Sequence, residues 1–304
     1  MTRGTDLVTG AFGNTGSSIA RLLTEGGRGV RTLTSHPPAG TATGIEVFDY
    51  AWDDQDRLVE AFSGVSCFYN TYWMRMGDGG GSYDLAVERC LQLIAAAEAA
   101  GVERIVHVSV AHPSLDSPYP YFRGKAKVER RLESSTVPAT AVRPTLIFGG
   151  DSVLINNLAW ILRRLPVFAV SGRGHYRVRP VHVDDIARIC VDAGQQFDPA
   201  PFEVIDAVGP DRPTYIEFVK QVRKITGGKA RIVAAPTPLV LAGGAVLGRL
   251  LRDDVINRDE LVSTMEGLAD TSGPSSGTVS LTSWLEQNAE TLGRSYMNER
   301  RRRN

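Results

Sequence analysis

Short apolar runs alternate with amphipathic stretches through the first half of the chain. The runs are rich in β-branched and aromatic residues, which favours strands. The stretches between them repeat apolar residues every three or four positions, which predicts helices. The expected strands are residues 7–9, 30–34, 45–49, 65–72, 104–110 and 139–148, and the expected helices are residues 17–25, 54–62, 83–100 and 124–134.

This alternation is typical of parallel βαβ units with helices on both faces of one sheet. Right-handed crossovers then favour an α/β fold with a Rossmann-type, doubly wound parallel sheet. After residue 150 the segments become less regular and richer in proline. We therefore expect a Rossmann domain over residues 1–150 and a smaller C-terminal lobe over residues 151–304, partly interleaved with the sheet.

Glycines recur every third residue where the first strand gives way to the first helix, in the sequence Thr-Gly-Ala-Phe-Gly-Asn-Thr-Gly. A glycine in such a turn allows a tight bend, close approach of a pyrophosphate or close packing of helix on strand. The helix N-terminus then offers its N–H groups to the phosphates. Because a strand precedes and a helix follows, the pattern predicts a nicotinamide dinucleotide site. The residues expected to form it are Gly10, Phe12, Gly13, Asn14, Thr15 and Gly16.

The end of the second strand bears on the choice of dinucleotide. An NAD site usually carries an acid there, bonded to the ribose 2′-hydroxyl. This chain has Thr34, Ser35 and His36, so a 2′-phosphate would meet no negative charge and Ser35 could bond it. No arginine stands there either, since Arg31 lies inside the strand. The sequence favours NADP(H), with NAD(H) as the alternative.

Tyr121 and Lys125 lie four residues apart on an expected helix and so share one face. A tyrosine phenol has a pKa of about 10 and is a weak acid near neutral pH. A neighbouring ammonium stabilises the phenolate and can also hold the ribose of a cofactor. The pair can therefore pass a proton to or from a carbinol oxygen as a hydride moves.

With these motifs the chain resembles the short-chain dehydrogenase/reductase superfamily. It is most similar to the extended and atypical branches, which include NmrA-like proteins and relatives of the accessory NAD(P)H-binding subunit of complex I. The resemblance covers roughly residues 5 to 235. It rests on the glycine turn, on Asp49 after the third strand, on the Tyr121 and Lys125 pair, and on residues 143–149 and 181–187.

The resemblance implies roles for individual residues. Asp49 would contact the adenine amino group, and Thr71 would lie near the cofactor after the fourth strand. Pro144 and Thr145 would line the nicotinamide end. Ser109 would hydrogen-bond a substrate carbonyl. Lys125 would also contact the cofactor, and the C-terminal lobe would hold a small-molecule substrate.

The resemblance favours an NAD(P)H-dependent oxidoreductase acting on a small carbonyl or hydroxyl substrate. A nucleotide-sugar epimerase or dehydratase is one alternative, with diphosphate contacts from Arg163, Arg164, Arg173 and Arg177. The apolar run Tyr72-Trp73-Met74 argues against it. The family's fourth strand usually ends in small residues, so the bulk of Tyr72 and Trp73 would crowd the nicotinamide pocket. The other alternative is a non-catalytic NADP(H)-binding sensor or accessory protein.

The composition of the chain further limits the classes of function it could have. The 34 basic and 34 acidic residues cancel, so no global field would steer nucleic acid to the surface. The three cysteines lack metal-ligand spacing, which favours reduced thiols, no metal and a cytoplasmic location. The apolar stretch 238–251 is too short to cross a bilayer and is interpreted as a buried helix or lid. Residues 300–303 are four arginines, expected to be a solvated tail. The oligomeric state is open, with a homodimer as one option.

Overall fold

The computed structural model describes residues 4–35, 44–74 and 82–298. His36 and the arginine tail at residues 300–303 lie outside these ranges. In chain order the strands are β1 (Thr5–Val8), β2 (Gly29–Leu33), β3 (Ile45–Phe48), β4 (Val65–Asn70), β5 (Arg104–Val108), β6 (Ala139–Pro144), β7 (Leu146–Phe148), β8 (Val167–Ser171), β9 (Pro180–His182), β10 (Phe202–Ala207) and β11 (Arg231–Ala235). The helices are α1 (Asn14–Glu25), α2 (Gln55–Phe62), α3 (Tyr83–Ala99), α4 (Pro120–Glu133), α5 (Val153–Arg164), α6 (Val183–Gly194), α7 (Tyr215–Thr226), α8 (Thr237–Leu251), α9 (Arg258–Met265) and α10 (Leu281–Asn288).

The chain divides into two compact units. The first comprises Met1–Pro144 and Val183–Ala207, and the second comprises Thr145–His182 and Val208–Asn304. The chain thus leaves the first unit at Pro144 and returns to it for α6 and β10.

The first unit is built on a seven-stranded sheet in the order β10-β6-β5-β4-β1-β2-β3. Every pairing in it is parallel. The strand order reverses direction at β1, and right-handed crossovers then place α1 and α3 on opposite faces. This confirms the predicted Rossmann-type α/β fold, in which a ligand site is expected at the carboxyl ends of β1 and β4.

The central strands read as continuous apolar runs because helices cover both faces of the sheet. Every residue of β5 is buried. The core below α2, α3 and α4 includes Leu7, Phe62, Phe68 and Leu93, all fully buried. This packing makes the sheet a rigid platform for the loops at its carboxyl edge.

The expected strand over residues 139–148 is in fact two strands. β6 ends at Pro144, and β7 begins at Leu146 and pairs in parallel with β9 in a separate sheet of the second unit. The break lies where the chain passes from the first unit to the second, between Pro144 and Thr145. The sequence missed it because the apolar residues continue on both sides.

The second unit packs α5, α7 and α10 around an apolar core that includes Phe148, Leu158, Phe218 and Leu285. α7 begins with a capping box formed by Thr214 and Glu217. The expectation that residues 238–251 form a buried helix is wrong. α8 is exposed along one side, with Leu250 76% exposed. Among the described residues, no helix has the length and apolarity needed to cross a membrane.

Candidate functional site

The glycine turn links β1 to α1 with little space between them. Gly10 has a φ of +64°, in the left-handed region that favours glycine. The Gly13 N–H donates to the Gly10 carbonyl at 2.8 Å. A Cβ on Gly16 would lie 2.7 Å from the Gly10 carbonyl carbon and closer still to its oxygen. Position 16 therefore has no room for any side chain.

The N-terminus of α1 is exposed to an incoming anion. Its N-cap is Gly13, which has no side chain to cap the helix, and its first turn carries no acid. Gly13 is exposed, and Phe12, Asn14 and Thr15 are half-buried around it. The positive end of the helix macrodipole is therefore available to a phosphate group.

Thr71 joins the end of β4 to the glycine turn. Its hydroxyl donates to the Thr9 carbonyl at 2.5 Å, and its N–H donates to the Thr9 hydroxyl at 2.8 Å. The Tyr72 N–H donates to the same hydroxyl at 3.0 Å. Thr71 therefore lies beside Gly10, because β1 and β4 are neighbours in the parallel sheet and end at the same edge.

The ends of β2 and β3 place Ser35 and Asp49 in exposed positions. Arg31 does not reach this edge. Its Nε donates to Glu46 at 2.9 Å, and its NH1 donates to the Ala61 carbonyl at 2.6 Å. Ser35 therefore stands at the strand end without a neighbouring arginine from β2.

The aromatic residues after β4 pack in two directions. Tyr72 packs edge-on against Tyr50 and tilted against Trp52, each at 5.4 Å between ring centroids, and its hydroxyl accepts from Arg89 at 3.2 Å. Trp73 instead lies over the start of α4, 5.7 Å from the Tyr121 ring. The bulk noticed in the sequence thus fills space beside the predicted tyrosine.

Tyr121 is in the first turn of α4 and is half-buried. Its ring packs edge-on against Tyr83 at 5.8 Å and against Phe122 at 5.3 Å. Tyr121 thus lies in an aromatic cluster at the N-terminal end of the helix.

Lys125 is 3% exposed, one helical turn further along α4. Its ammonium donates to the Val108 carbonyl at 2.8 Å and lies 4.2 Å from the centroid of the Trp73 ring. Burial lowers the pKa of Lys125 to about 8, against smaller raising effects from Cys90 and Glu129. The ammonium is therefore held by one carbonyl and one aromatic face.

The side chain of Ser109 is bonded to another part of α4. It is 2% exposed, and its hydroxyl donates to Glu129 at 2.5 Å. Glu129 lies two helical turns beyond Tyr121, about 12 Å along the helix axis. The Trp73 ring therefore contacts both Tyr121 and Lys125, whereas the Ser109 hydroxyl is bonded to Glu129, two helical turns from Tyr121.

His107 was missed by the sequence analysis. It is fully buried on β5 opposite Asn70, and neither ring nitrogen has a hydrogen-bond partner among the described residues. Burial, and then the charge of Lys125, holds the pKa of His107 well below its usual value, although the Asn70 backbone raises it slightly. A neutral imidazole therefore lies beside the Lys125 ammonium. Its one signal in the sequence was a polar residue inside an apolar strand.

Pro144 is buried at the end of β6, where its carbonyl accepts from the Ala111 N–H at 2.9 Å. Thr145 begins the second unit and donates to the Arg179 carbonyl. Three of the arginines expected to contact a diphosphate donate instead to backbone carbonyls of their own unit. These are Arg163, Arg164 and Arg177.

Within the described ranges, no group of three or more His, Cys, Asp or Glu side chains could hold a metal ion. The candidate site consists instead of a glycine turn and a helix N-terminus, with Tyr121 and Lys125 on α4. The strand order and the glycine turn are those of Rossmann-type folds, a class in which ligands bind at the carboxyl edge of the sheet.

Comparison with known sequences identifies the family. A sequence model of the NmrA-like family matches residues 3–158, about half of the chain, and the chain belongs to this family. It is 31% identical over 155 residues to the mouse (Mus musculus) mitochondrial NADH dehydrogenase (ubiquinone) 1 alpha subcomplex subunit 9, which covers 51% of this chain and 40% of that one. Matches to such subunits therefore span about two fifths of their length.

A longer match is to ceramide reductase of Caulobacter vibrioides, at 28% identity over 271 residues, covering 81% of this chain and 78% of that one. Among solved structures, NADPH-dependent quinone oxidoreductase QOR2 from Escherichia coli, complexed with NADPH, has a TM-score of 0.70 and 20% identity. That likeness covers 88% of this chain and 91% of that one, and it shows a shared fold.

Proposed function

We propose that this chain binds a nicotinamide dinucleotide, with the pyrophosphate against the N-terminus of α1. The observation that carries this proposal is the geometry of the glycine turn. Gly10 has the left-handed φ the bend needs, Gly16 has no room for a side chain, and Gly13 leaves the helix end uncapped and exposed. The similar quinone oxidoreductase structure is a complex with NADPH, which supports the same proposal.

The dinucleotide in this proposal is NADP(H) in preference to NAD(H). Ser35 is exposed at the end of β2, where an acid would repel a 2′-phosphate. The preference for NADP(H) rests on the absence of this repulsion and on the Ser35 hydroxyl. Arg31 does not contribute to it, because its guanidinium is bonded to Glu46 and to the Ala61 carbonyl.

The proposed chemistry is reversible reduction of a small carbonyl compound. A bound nicotinamide supplies or accepts the hydride. Tyr121 would give its phenolic proton to the carbonyl oxygen, and the buried charge of Lys125 would stabilise the phenolate that remains. Ser109 would have to leave Glu129 to reach a substrate, so the proton transfer is assigned to Tyr121 and Lys125 alone.

A second candidate is binding of NADP(H) without turnover. Two observations favour it. The Lys125 ammonium is covered by the Trp73 ring and donates to the Val108 carbonyl, and the Ser109 hydroxyl is bonded to Glu129. Several relatives are named as subunits of NADH dehydrogenase (ubiquinone).

Turnover separates the two candidates. We expect NADPH oxidation with at least one member of a panel of small aldehydes, ketones and quinones, and a loss of about 100-fold or more in Tyr121→Phe. Tyr119→Phe is the matched control, because Tyr119 is a neighbouring aromatic outside the proposed proton path. Full activity in Tyr121→Phe would refute the proton-transfer role. Tight NADPH binding with no turnover on the panel would favour the second candidate.

A further inference from the structure

Glu129 is a buried carboxylate that the proposed chemistry does not use. It lies on α4, 4% exposed, one helical turn beyond Lys125. We propose that Glu129 is a positioning residue, which fixes α4 to the ends of β5 and β6 and supplies a buried negative charge one helical turn from Lys125. This inference deepens the proposed function and rests on it for the role of Lys125.

Glu129 binds both strand ends at once. The Ser109 hydroxyl, just past β5, donates to its Oε1 at 2.5 Å. Arg143, near the end of β6, donates from Nε to Oε1 at 3.0 Å and from NH2 to Oε2 at 2.5 Å. Charged, two-pronged contacts of this kind are stronger and more directional than neutral hydrogen bonds. Any rotation of α4 about its axis would break them.

The same helix face carries Lys125, because residues four apart are neighbours on a helix. Besides Tyr121, ionisable groups on three elements interact electrostatically with the ammonium: Cys90 on α3, His107 on β5 and Glu129 on α4. Burial raises the pKa of Cys90 to about 11 and lowers that of His107, so both are uncharged near neutral pH. Glu129, paired with Arg143, is the group among these three that supplies negative charge.

An unpaired buried ammonium would be costly, whereas a nearby carboxylate offsets part of that cost. A solely structural role for Glu129 predicts something different. Its loss would then destabilise the fold and leave the titration of Lys125 unchanged. The pKa of Lys125 is therefore the readout that separates positioning from simple support.

The chain has five lysines, which makes this titration practical by NMR of protein labelled with ¹³C at lysine Cε. The other four are exposed: Lys127, Lys220, Lys224 and Lys229. Lys125→Arg assigns the remaining signal. No cofactor or substrate is added, so the result does not depend on whether the proposed reaction takes place.

We expect Glu129→Gln, which keeps the shape and hydrogen-bonding atoms, to lower the pKa of Lys125 by about 0.5 to 2 pH units. Glu133→Gln is the matched control, since it removes the same charge from an exposed position on the same helix and should leave the value within about 0.3 units. Because Glu129→Gln removes the ion-pair partner of Arg143, the double variant Glu129→Gln with Arg143→Gln is measured as well, and the same downward direction is expected. An unchanged pKa of Lys125 in a folded Glu129→Gln or double variant would overturn the proposal.

Discussion

Adding one methyl group at position 16 perturbs the glycine turn at its tightest point. In Gly16→Ala the new Cβ would lie 2.7 Å from the Gly10 carbonyl carbon and 3.2 Å from the Ala11 nitrogen. Two carbon atoms in good contact are about 3.5 to 4.0 Å apart. Helix α1 must therefore move about 1 Å away from the turn, or the turn must open.

That movement has two measurable effects. Overpacking of this size typically costs about 1–3 kcal/mol of stability, which in a chain this long corresponds to a fall in Tm of roughly 2–10 °C. The displaced helix N-terminus would also lose at least one charge-assisted hydrogen bond to the pyrophosphate, worth about 1.5–3 kcal/mol. We therefore expect NADPH to bind about 10- to 100-fold more weakly.

The assay is isothermal titration of NADPH into wild-type and variant protein, after circular dichroism has shown both to be folded. Gly243→Ala is the matched control, because a Cβ there meets no atom within 4 Å. It should leave affinity unchanged, and the loss of a helical glycine should slightly raise stability. If Gly16→Ala is folded and binds NADPH as tightly as wild type, the assignment of the phosphate site to this turn is refuted.

Three further changes test other parts of the account. Ser35→Asp should reverse the cofactor preference, with NADPH weakened at least tenfold against NADH in parallel titrations; an unchanged ratio would show that the end of β2 does not meet the 2′-phosphate. Ser109→Ala should lower the free energy of unfolding by about 1.5–3 kcal/mol in denaturant titrations, because the Ser109 hydroxyl is bonded to Glu129. The turnover rate should fall less than tenfold. A 100-fold loss of turnover would instead indicate that Ser109 contacts the substrate directly. In the folded protein the pKa of Lys125 is about 8, below the ordinary lysine value of about 10.4. Between these two pH values the unfolded state therefore binds more protons than the folded state. The free energy of unfolding should rise with pH across this range, by roughly 3 kcal/mol relative to Lys125→Met. A constant difference between wild type and Lys125→Met from pH 7 to pH 10 would show that Lys125 titrates normally.

The strands of the sheet could be predicted because a parallel sheet buried on both faces leaves continuous apolar runs in the sequence. The break at Pro144 could not, because it depends on which sheet each half joins. The exposure of α8 was mistaken for burial, since a helix that is apolar on every side is usually interior. Leu239 and Leu250 are nevertheless 65% and 76% exposed.

The candidate site was also predictable only in part. The sequence predicts the glycine turn and the Tyr121 and Lys125 pair, because each depends on the spacing of residues within one short segment. The partners of Ser109 and Lys125 are set by packing between distant elements. Glu129 and Trp73 occupy those places, and no local pattern in the sequence shows that they meet there.

The central claim is that this chain binds a nicotinamide dinucleotide, and titration of the wild-type protein with NADPH and with NADH tests it most directly. Tryptophan fluorescence is a suitable signal, because Trp73 lies against Tyr121 and Lys125 beside the proposed site. We predict saturable binding of NADPH well below the millimolar range and weaker binding of NADH. Failure of both nucleotides to bind below the millimolar range would contradict the claim.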